Sequence, residues 1–186
     1  MRRNYEIEVR WTAFPLHPET PERGTSLEDL FSGRPPADIE NMRQRLKKTA
    51  DEVGLPMGER KYTFNSRLAQ ELAKWAESEG KEDQFHEAVF RAYYVDGRNI
   101  GKVEVLLDLA RSAGLPENEA KQVLESRAFR KAVDADWARC RSLNVTAVPT
   151  FLMNNDRLVG AQPYAALEQF VKSQGAKKRE YPGRSP

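Results

Sequence analysis

A single cysteine, Cys140, stands in a chain of 186 residues. One thiol excludes an intrachain disulfide, a dithiol redox pair and a cysteine-based zinc site. Histidine is nearly as scarce, and His17 and His86 are too isolated in sequence to give a metal-ligand spacing. Charge of one sign is also lacking. The 30 Lys and Arg residues against 28 Asp and Glu leave a net charge of +2. The charges are dispersed along helical segments, so neither a nucleic-acid nor a membrane partner is implied. No run approaches the roughly 20 apolar residues that span a bilayer. The opening MRRNYEIEVRW carries arginines but no apolar stretch of signal-peptide length, and the expectation is a soluble, cytoplasmic protein. The length fits one domain, or one domain with an insertion, and is enough to bury a core.

What is there has a readable order. In residues 5–14, Tyr5, Ile7, Val9 and Trp11 alternate with Glu6, Glu8, Arg10 and Thr12, which predicts a strand with one buried face. Pro15, Pro18 and Pro21 end it in a stiff loop. Ile39, Met42, Leu46, Ala50 and Val53 recur at three and four, one face of a helix over 36–53 closed by Gly54. Asn65 or Ser66 is placed to cap a helix through Ser78, with Leu68, Leu72, Trp75 and Ala76 inward. Asp83 opens another helix, in which Phe85, Val89, Phe90 and Tyr93 form a core group. Residues 102–113, 117–126 and 128–143 complete a run of helices without an internal repeat. Then Val148-Pro149-Thr150 leads into an apolar strand, Phe151-Leu152-Met153. Asn154-Asn155-Asp156 supplies a turn, because Asn and Asp tolerate positive φ. Arg157 to Gly160 forms a second short strand, and a helix runs from Pro163 to about Lys172. Residues 176–186 read as a flexible tail. Pro149 has no N–H for a ladder and belongs at the start of its strand. Only about 5–6% of X–Pro bonds in folded proteins are cis, so the sequence alone favours trans.

Few side chains suggest chemistry. Cys140 lies between Arg139 and Arg141, but adjacent helical residues point in different directions, and a structural thiol is expected. His17 in the proline-rich loop and His86 beside Phe85 read as packing residues. Tyr93 and Tyr94 read the same way, with a hydroxyl satisfied by a neighbour. Asp134 and Asp136, two apart on a helix, do not converge as an acid/base pair. Trp75, Phe85, Phe90 and Tyr93 read as core and not as a ligand box. No catalytic or metal-ligating residue is assigned.

Several blocks together resemble the DsbA-like thioredoxin family, and within it the FrnE-type cytoplasmic oxidoreductases. They are Val9-Arg10-Trp11 through Phe14-Pro15-Leu16-His17-Pro18; Tyr62 through Asn65-Ser66-Arg67-Leu68-Ala69; and Phe85 through Tyr93. Asp96-Gly97-Arg98-Asn99-Ile100, Val148-Pro149-Thr150-Phe151 and Gly160-Ala161-Gln162-Pro163 complete the set. The resemblance implies an α/β, thioredoxin-like fold with a helical insertion. Its segments would be residues 1–20, a thioredoxin-like remnant of strand plus proline-rich loop; 34–140, the insertion; 141–175, the C-terminal thioredoxin half; and 176–186, the tail. It further implies that Pro149 is cis, and that Val148, Pro149 and Thr150 bind substrate, the backbone at Val148 pairing with a substrate peptide.

The family opens with a strand, a Cys-x-x-Cys turn and a long helix before the strand placed at 5–14, a block of roughly 35–45 residues. That block is lacking here. The first strand would lie between the 5–14 strand and the Phe151 strand, so its loss leaves two edges facing a gap. The expectation is an N-terminally truncated protein-disulfide oxidoreductase or isomerase, inactive alone, whose partners are protein or peptide thiols and disulfides, with no cofactor. Two alternatives remain. One is a glutathione-dependent isomerase of the 2-hydroxychromene-2-carboxylate type. The other is a degenerate, non-enzymatic thioredoxin-like module that binds extended peptide.

Overall fold

The structure is a computed structural model, and it describes residues 1–180. The chain forms two compact units. One comprises residues 17–135, and the other residues 1–16 together with the chain from Asp136 onward.

Within residues 17–135 the order is β1 (Thr25–Ser26), α1 (Leu27–Leu30), α2 (Pro36–Glu52), β2 (Tyr62–Thr63), α3 (Arg67–Ser78), α4 (Glu82–Tyr94), α5 (Val103–Ser112) and α6 (Glu117–Ser126). α7 (Arg130–Ser142) begins in this unit. β1 and β2 form a two-residue antiparallel ribbon, with Thr25 opposite Thr63 and Ser26 opposite Tyr62. The core lies among α3 to α6, where Leu72, Trp75, Phe85, Leu106, Leu109 and Leu124 are buried together with a set of alanines. Those residues recur at helical spacing on each element, so each helix turns one apolar stripe to the same interior.

Glu71, on the inner side of α3, is 1% exposed. A buried carboxylate is tolerable only when its lone pairs are filled by paired charge. Arg127 supplies a two-pronged contact, Nε to Oε2 at 2.7 Å and Nη2 to Oε1 at 2.7 Å. Arg67 adds Nε to Oε1 at 2.6 Å. Arg127 sits just past α6 with φ of 54°, a left-handed backbone that is unusual for a branched-out side chain. It is from this position that its guanidinium reaches α3. The other end of the Arg67 guanidinium holds the Arg130 carbonyl at 2.9 Å and the Asp134 carboxylate at 2.7 Å. One buried acid thus ties α3 to the end of α6, and its Arg67 partner extends the tie to the start of α7.

Two asparagines fasten the loop that follows His17. Asn65 donates from Nδ2 to the carbonyls of Pro18 and Thr20, at 3.1 and 2.8 Å, while its Oδ1 accepts from the Arg67 amide at 2.9 Å. Asn99 donates to the Glu22 carbonyl at 2.8 Å and accepts from the Gly101 amide at 2.9 Å. A proline-rich segment has few N–H groups to bond itself, so its carbonyls are satisfied from outside.

α2 differs from its expected role. Of the predicted inner face only Ala50 is buried, while Leu46 is 50% exposed and Val53, just past the helix end, 64%. Met42 is also exposed, and no other described helix or strand packs along this one as α3 to α6 pack on each other. Phe90 is likewise turned outward. Phe85, Val89 and Ala92 already fill the inner side of α4, so Phe90 joins His86 and Tyr94 in an aromatic row on its flank.

The second unit holds β3 (Thr150–Met153), β4 (Asp156–Val159), α8 (Tyr164–Ser173) and the later part of α7. β3 and β4 form an antiparallel ribbon in the register Thr150–Val159, Phe151–Leu158, Leu152–Arg157, Met153–Asp156. Asn154 takes the positive φ, 54°, that the turn requires. The strand expected over 5–14 is not formed, apart from one antiparallel bridge between Tyr5 and Lys178. A strand exists only through a neighbour's ladder, and no described residue offers one beyond Tyr5 and Glu6. The same bridge corrects the tail expected from 176. The Glu6 amide donates to the Lys177 carbonyl at 2.8 Å and the Arg179 amide to the Asn4 carbonyl at 2.9 Å. Residues 181–186 of that tail lie outside the described residues.

Burial alone would raise the Glu71 carboxyl's pKa, but the hydrogen bonds and charges of Arg127 and Arg67 outweigh it and hold it below the ordinary value. A depressed folded-state value stabilises the protein above the unfolded glutamate pKa, about 4.3, and that contribution disappears as pH falls through the folded-state value. Glu71→Gln should therefore lower the unfolding free energy at pH 7 by about 3–5 kcal/mol in urea denaturation. Its stability should also fall less steeply than the wild type's below roughly pH 4. Parallel pH curves for the two proteins would refute the assignment.

Candidate functional site

The unit that carries β3 and β4 contains the residues expected to bind substrate. The Val148–Pro149 peptide is cis. Pro149 has no N–H and stands just before β3, and its carbonyl accepts from the Gly160 amide at 2.8 Å, which fastens the loop to the end of β4. Thr150 is half-buried and its Oγ1 donates to the Ala147 carbonyl at 2.7 Å, closing a tight turn under the proline. Val148 is 46% exposed. Among the described residues its amide and carbonyl have no hydrogen-bond partner. Val148, Pro149 and Thr150 therefore form one short surface with a free peptide edge. Phe151 and Leu152, on opposite faces of β3, are both exposed, as is Val159 on β4. Apolar residues on both faces mark the kind of strand that elsewhere lies inside a sheet.

The ends of the described chain brace this unit. Tyr5 is fully buried and its hydroxyl donates to Glu168 Oε1 of α8 at 2.6 Å. The other Glu168 oxygen pairs with Lys172 at 3.3 Å. Asn4 reaches the Tyr164 hydroxyl at 2.6 Å. Arg179 Nε reaches the carbonyls of Arg2 and Tyr5, at 3.0 and 3.1 Å. None of these contacts involves Val148 to Thr150; they hold α8 against residues 4–6.

The lone thiol is placed apart from reaction. Cys140 is 6% exposed and its Sγ donates to the Ala13 carbonyl at 3.6 Å. Burial first, and then the nearby Asp136 charge, raise its pKa, against the opposing pull of Arg139 and Arg141. A thiol held in its protonated form is a poor nucleophile. Asp136, also buried, accepts from the Ala13 amide at 2.9 Å, so α7 grips both the donor and the acceptor of that residue.

The remaining candidates are dispersed. Asp134 faces Arg67, whereas Asp136 faces Ala13, so the two carboxylates do not share a site. His17 is half-buried, with Nδ1 at 4.0 Å from Glu19. Burial lowers the pKa of His86, with Asp83 acting in the opposite direction. Trp75 and Phe85 are core residues. The Tyr93 hydroxyl is bonded to Arg60 and to Thr63, and the Arg60 guanidinium lies over its ring at 4.6 Å. No group of histidine, cysteine and carboxylate residues able to hold a metal occurs among the described residues. No helix there is long and apolar enough to cross a membrane.

Comparison with known proteins converges on one fold. A sequence model of the DSBA-like thioredoxin domain matches residues 1–172. The uncharacterized protein YwbO of Bacillus subtilis is 26% identical over 183 residues, covering 93% of this chain and 85% of YwbO. The ClpXP adapter protein SpxH of Halalkalibacterium halodurans is 30% identical over 86 residues, covering 42% of this chain and 28% of SpxH. Among solved structures, a probable DsbA oxidoreductase from Streptomyces coelicolor superposes with a TM-score of 0.80 at 23% identity, covering 92% of this chain and 74% of that one. A putative protein disulfide isomerase from Nitrosomonas europaea gives a TM-score of 0.62 at 19% identity, covering 75% of this chain and 74% of that one. At such identities these two likenesses carry the fold alone.

The placement of Cys140 has a direct readout. Modification by an aromatic disulfide reagent should be roughly a hundredfold slower in the native chain than in denaturant. Equal rates in the two conditions would show the thiol to be accessible.

Proposed function

The chain belongs to the DSBA-like thioredoxin domain family, and from that premise we propose that it is the substrate-docking part of a thiol-disulfide oxidoreductase or isomerase acting on protein disulfides. In this reading it is of the FrnE type and cytoplasmic, and the chain as given is N-terminally truncated, without the strand, Cys-x-x-Cys turn and helix that would carry the reaction. Thiol-disulfide exchange requires a thiolate to attack one sulfur of a disulfide, and a second thiol to resolve the mixed disulfide that forms. This chain has one cysteine, and that cysteine is buried. The docking half of the function needs no side-chain chemistry. An extended substrate can pair with a free backbone edge.

The observation that carries the reading is the exposed, unbonded peptide edge at Val148, beside Pro149 and Thr150, in a chain whose only thiol points inward to Ala13. The same observation favours a second reading, a module that binds extended peptide without redox chemistry. The two predict the same behaviour of this polypeptide and differ in what a fuller chain would do.

In a turbidity assay of insulin reduction, the purified chain should give no rate above its Cys140→Ala variant or buffer; a clear excess over both would sink the proposed inactivity. S-carboxymethylated, unfolded lactalbumin should bind independently of added thiol. Val148→Pro removes the free N–H at that edge and should weaken binding by roughly threefold to tenfold, the equivalent of one hydrogen bond. Failure of the unfolded protein to bind at all would remove the docking role.

A further inference from the structure

α2 carries a second exposed feature, unrelated to thiol chemistry. Its apolar residues Ile39, Met42 and Leu46, continued by Val53 past its end, repeat at spacings of three, four and seven. At about 100° per residue these fall within one narrow stripe along the helix. The seven-residue return from Ile39 to Leu46 to Val53 is the seam of a two-helix contact. Yet Met42 and Leu46 are exposed on it, and Leu55, just beyond, is 60% exposed. An isolated amphipathic helix gains most of its stability from packing of its apolar face, so an uncovered seam of this length implies an occupant.

The flanks of the stripe indicate the occupant's chemistry. Arg43 and Lys47 lie to one side and Arg45 to the other, and Lys48 brings four cations into six residues. Within the helix Arg43 is paired with Glu40 at 3.2 Å, and Lys48 only loosely with Glu52 at 4.0 Å. Among the described residues Arg45 and Lys47 have no ion pair. Cations beside an apolar seam are the counterparts of carboxylates at the flanking positions of a facing helix, the charges that set partner choice in such pairs. The stripe holds no aromatic residue, and the helix as a whole carries acids at both ends, Asp38 and Glu40, then Asp51 and Glu52. Those acids oppose an anionic membrane surface, which rewards a uniformly basic polar face and aromatic residues in the apolar one.

We propose that the exposed face of α2 docks an amphipathic helix of a partner protein whose apolar stripe is flanked by carboxylates. Leu46 sits at the centre of the contact, and Arg45 and Lys47 select the charge of the partner.

A designed helical peptide with leucines along one stripe and glutamates on both flanks, labelled for fluorescence anisotropy, is the probe. A second peptide has the same leucines flanked by lysines. The full chain should bind the glutamate peptide at least tenfold more tightly than the lysine peptide, and the preference should shrink as salt rises. Leu46→Asp should abolish binding of both. The double variant Arg45→Glu, Lys47→Glu should reverse the preference while keeping the melting temperature, since both side chains are exposed. Equal affinity for the two peptides, or binding of neither, would overturn the proposal. So would two other results, each naming a different occupant. One is sedimentation of the chain with phosphatidylglycerol vesicles but no peptide binding, which points to a lipid surface. The other is a concentration-dependent dimer, lost in Leu46→Asp, that excludes the peptide, which points to a second copy.

Discussion

Every peptide unit removed from water must find a hydrogen-bond partner, and a helix can meet that demand from its own chain whereas a strand cannot. This asymmetry divides the molecule. Residues 17–135 are built almost wholly from helices, and their stripes close on one another around Leu72, Phe85 and Leu106. The remaining unit depends on strands. Its described ladders amount to a four-residue ribbon and one bridge at Tyr5, and apolar groups on Val9, Trp11, Phe151, Leu152 and Val159 stay exposed. The sequence of residues 5–14 has the alternation of a strand, but alternation specifies which side chains share a face; it does not supply the neighbour that makes the ladder.

How far the sequence could be read follows from the range of each interaction. Helices α3 to α6 were legible to within a residue or two because their stripes and capping residues are local. The hairpin at Asn154 was legible for the same reason. The solvent-facing seam of α2 looked identical to an inner face, because periodicity reports amphipathicity and not what covers it. Glu71 gave no signal at all. Its burial depends on Arg127, 56 positions away, and on a left-handed turn at that arginine that no local pattern announces. Asn65 was read as a helix cap, and its Oδ1 does accept from the Arg67 amide; that its Nδ2 also holds carbonyls 45 and 47 residues away was not readable.

Buried polar groups in this chain act as fasteners more than as reactive groups. Glu71 joins two helices, Asn65 and Asn99 hold a loop short of donors, and Asp136 with Cys140 grips Ala13 by its two peptide groups. Each is satisfied by neighbours fixed in place, and a group so satisfied has little left to offer a substrate. The thiol illustrates the point: the surroundings that make Cys140 a good packing residue, burial and an adjacent carboxylate, are those that suppress its thiolate.

Binding and chemistry therefore separate in this chain. Catalysis of thiol exchange needs two sulfurs with a tuned pKa, and no rearrangement of one buried cysteine provides that. Recognition of an extended peptide needs only a donor and an acceptor aimed outward from a rigid backbone. Val148 has both, and its neighbours fix them: Pro149 is held through its carbonyl to Gly160, and Thr150 closes the turn onto Ala147. A surface of that kind is independent of the reactive group it would serve. It is rigid before any substrate arrives, so the ordering cost of docking falls mainly on the substrate. The part of the fold that recognises can persist in a chain that lacks the part that reacts, because the two rest on different bonds.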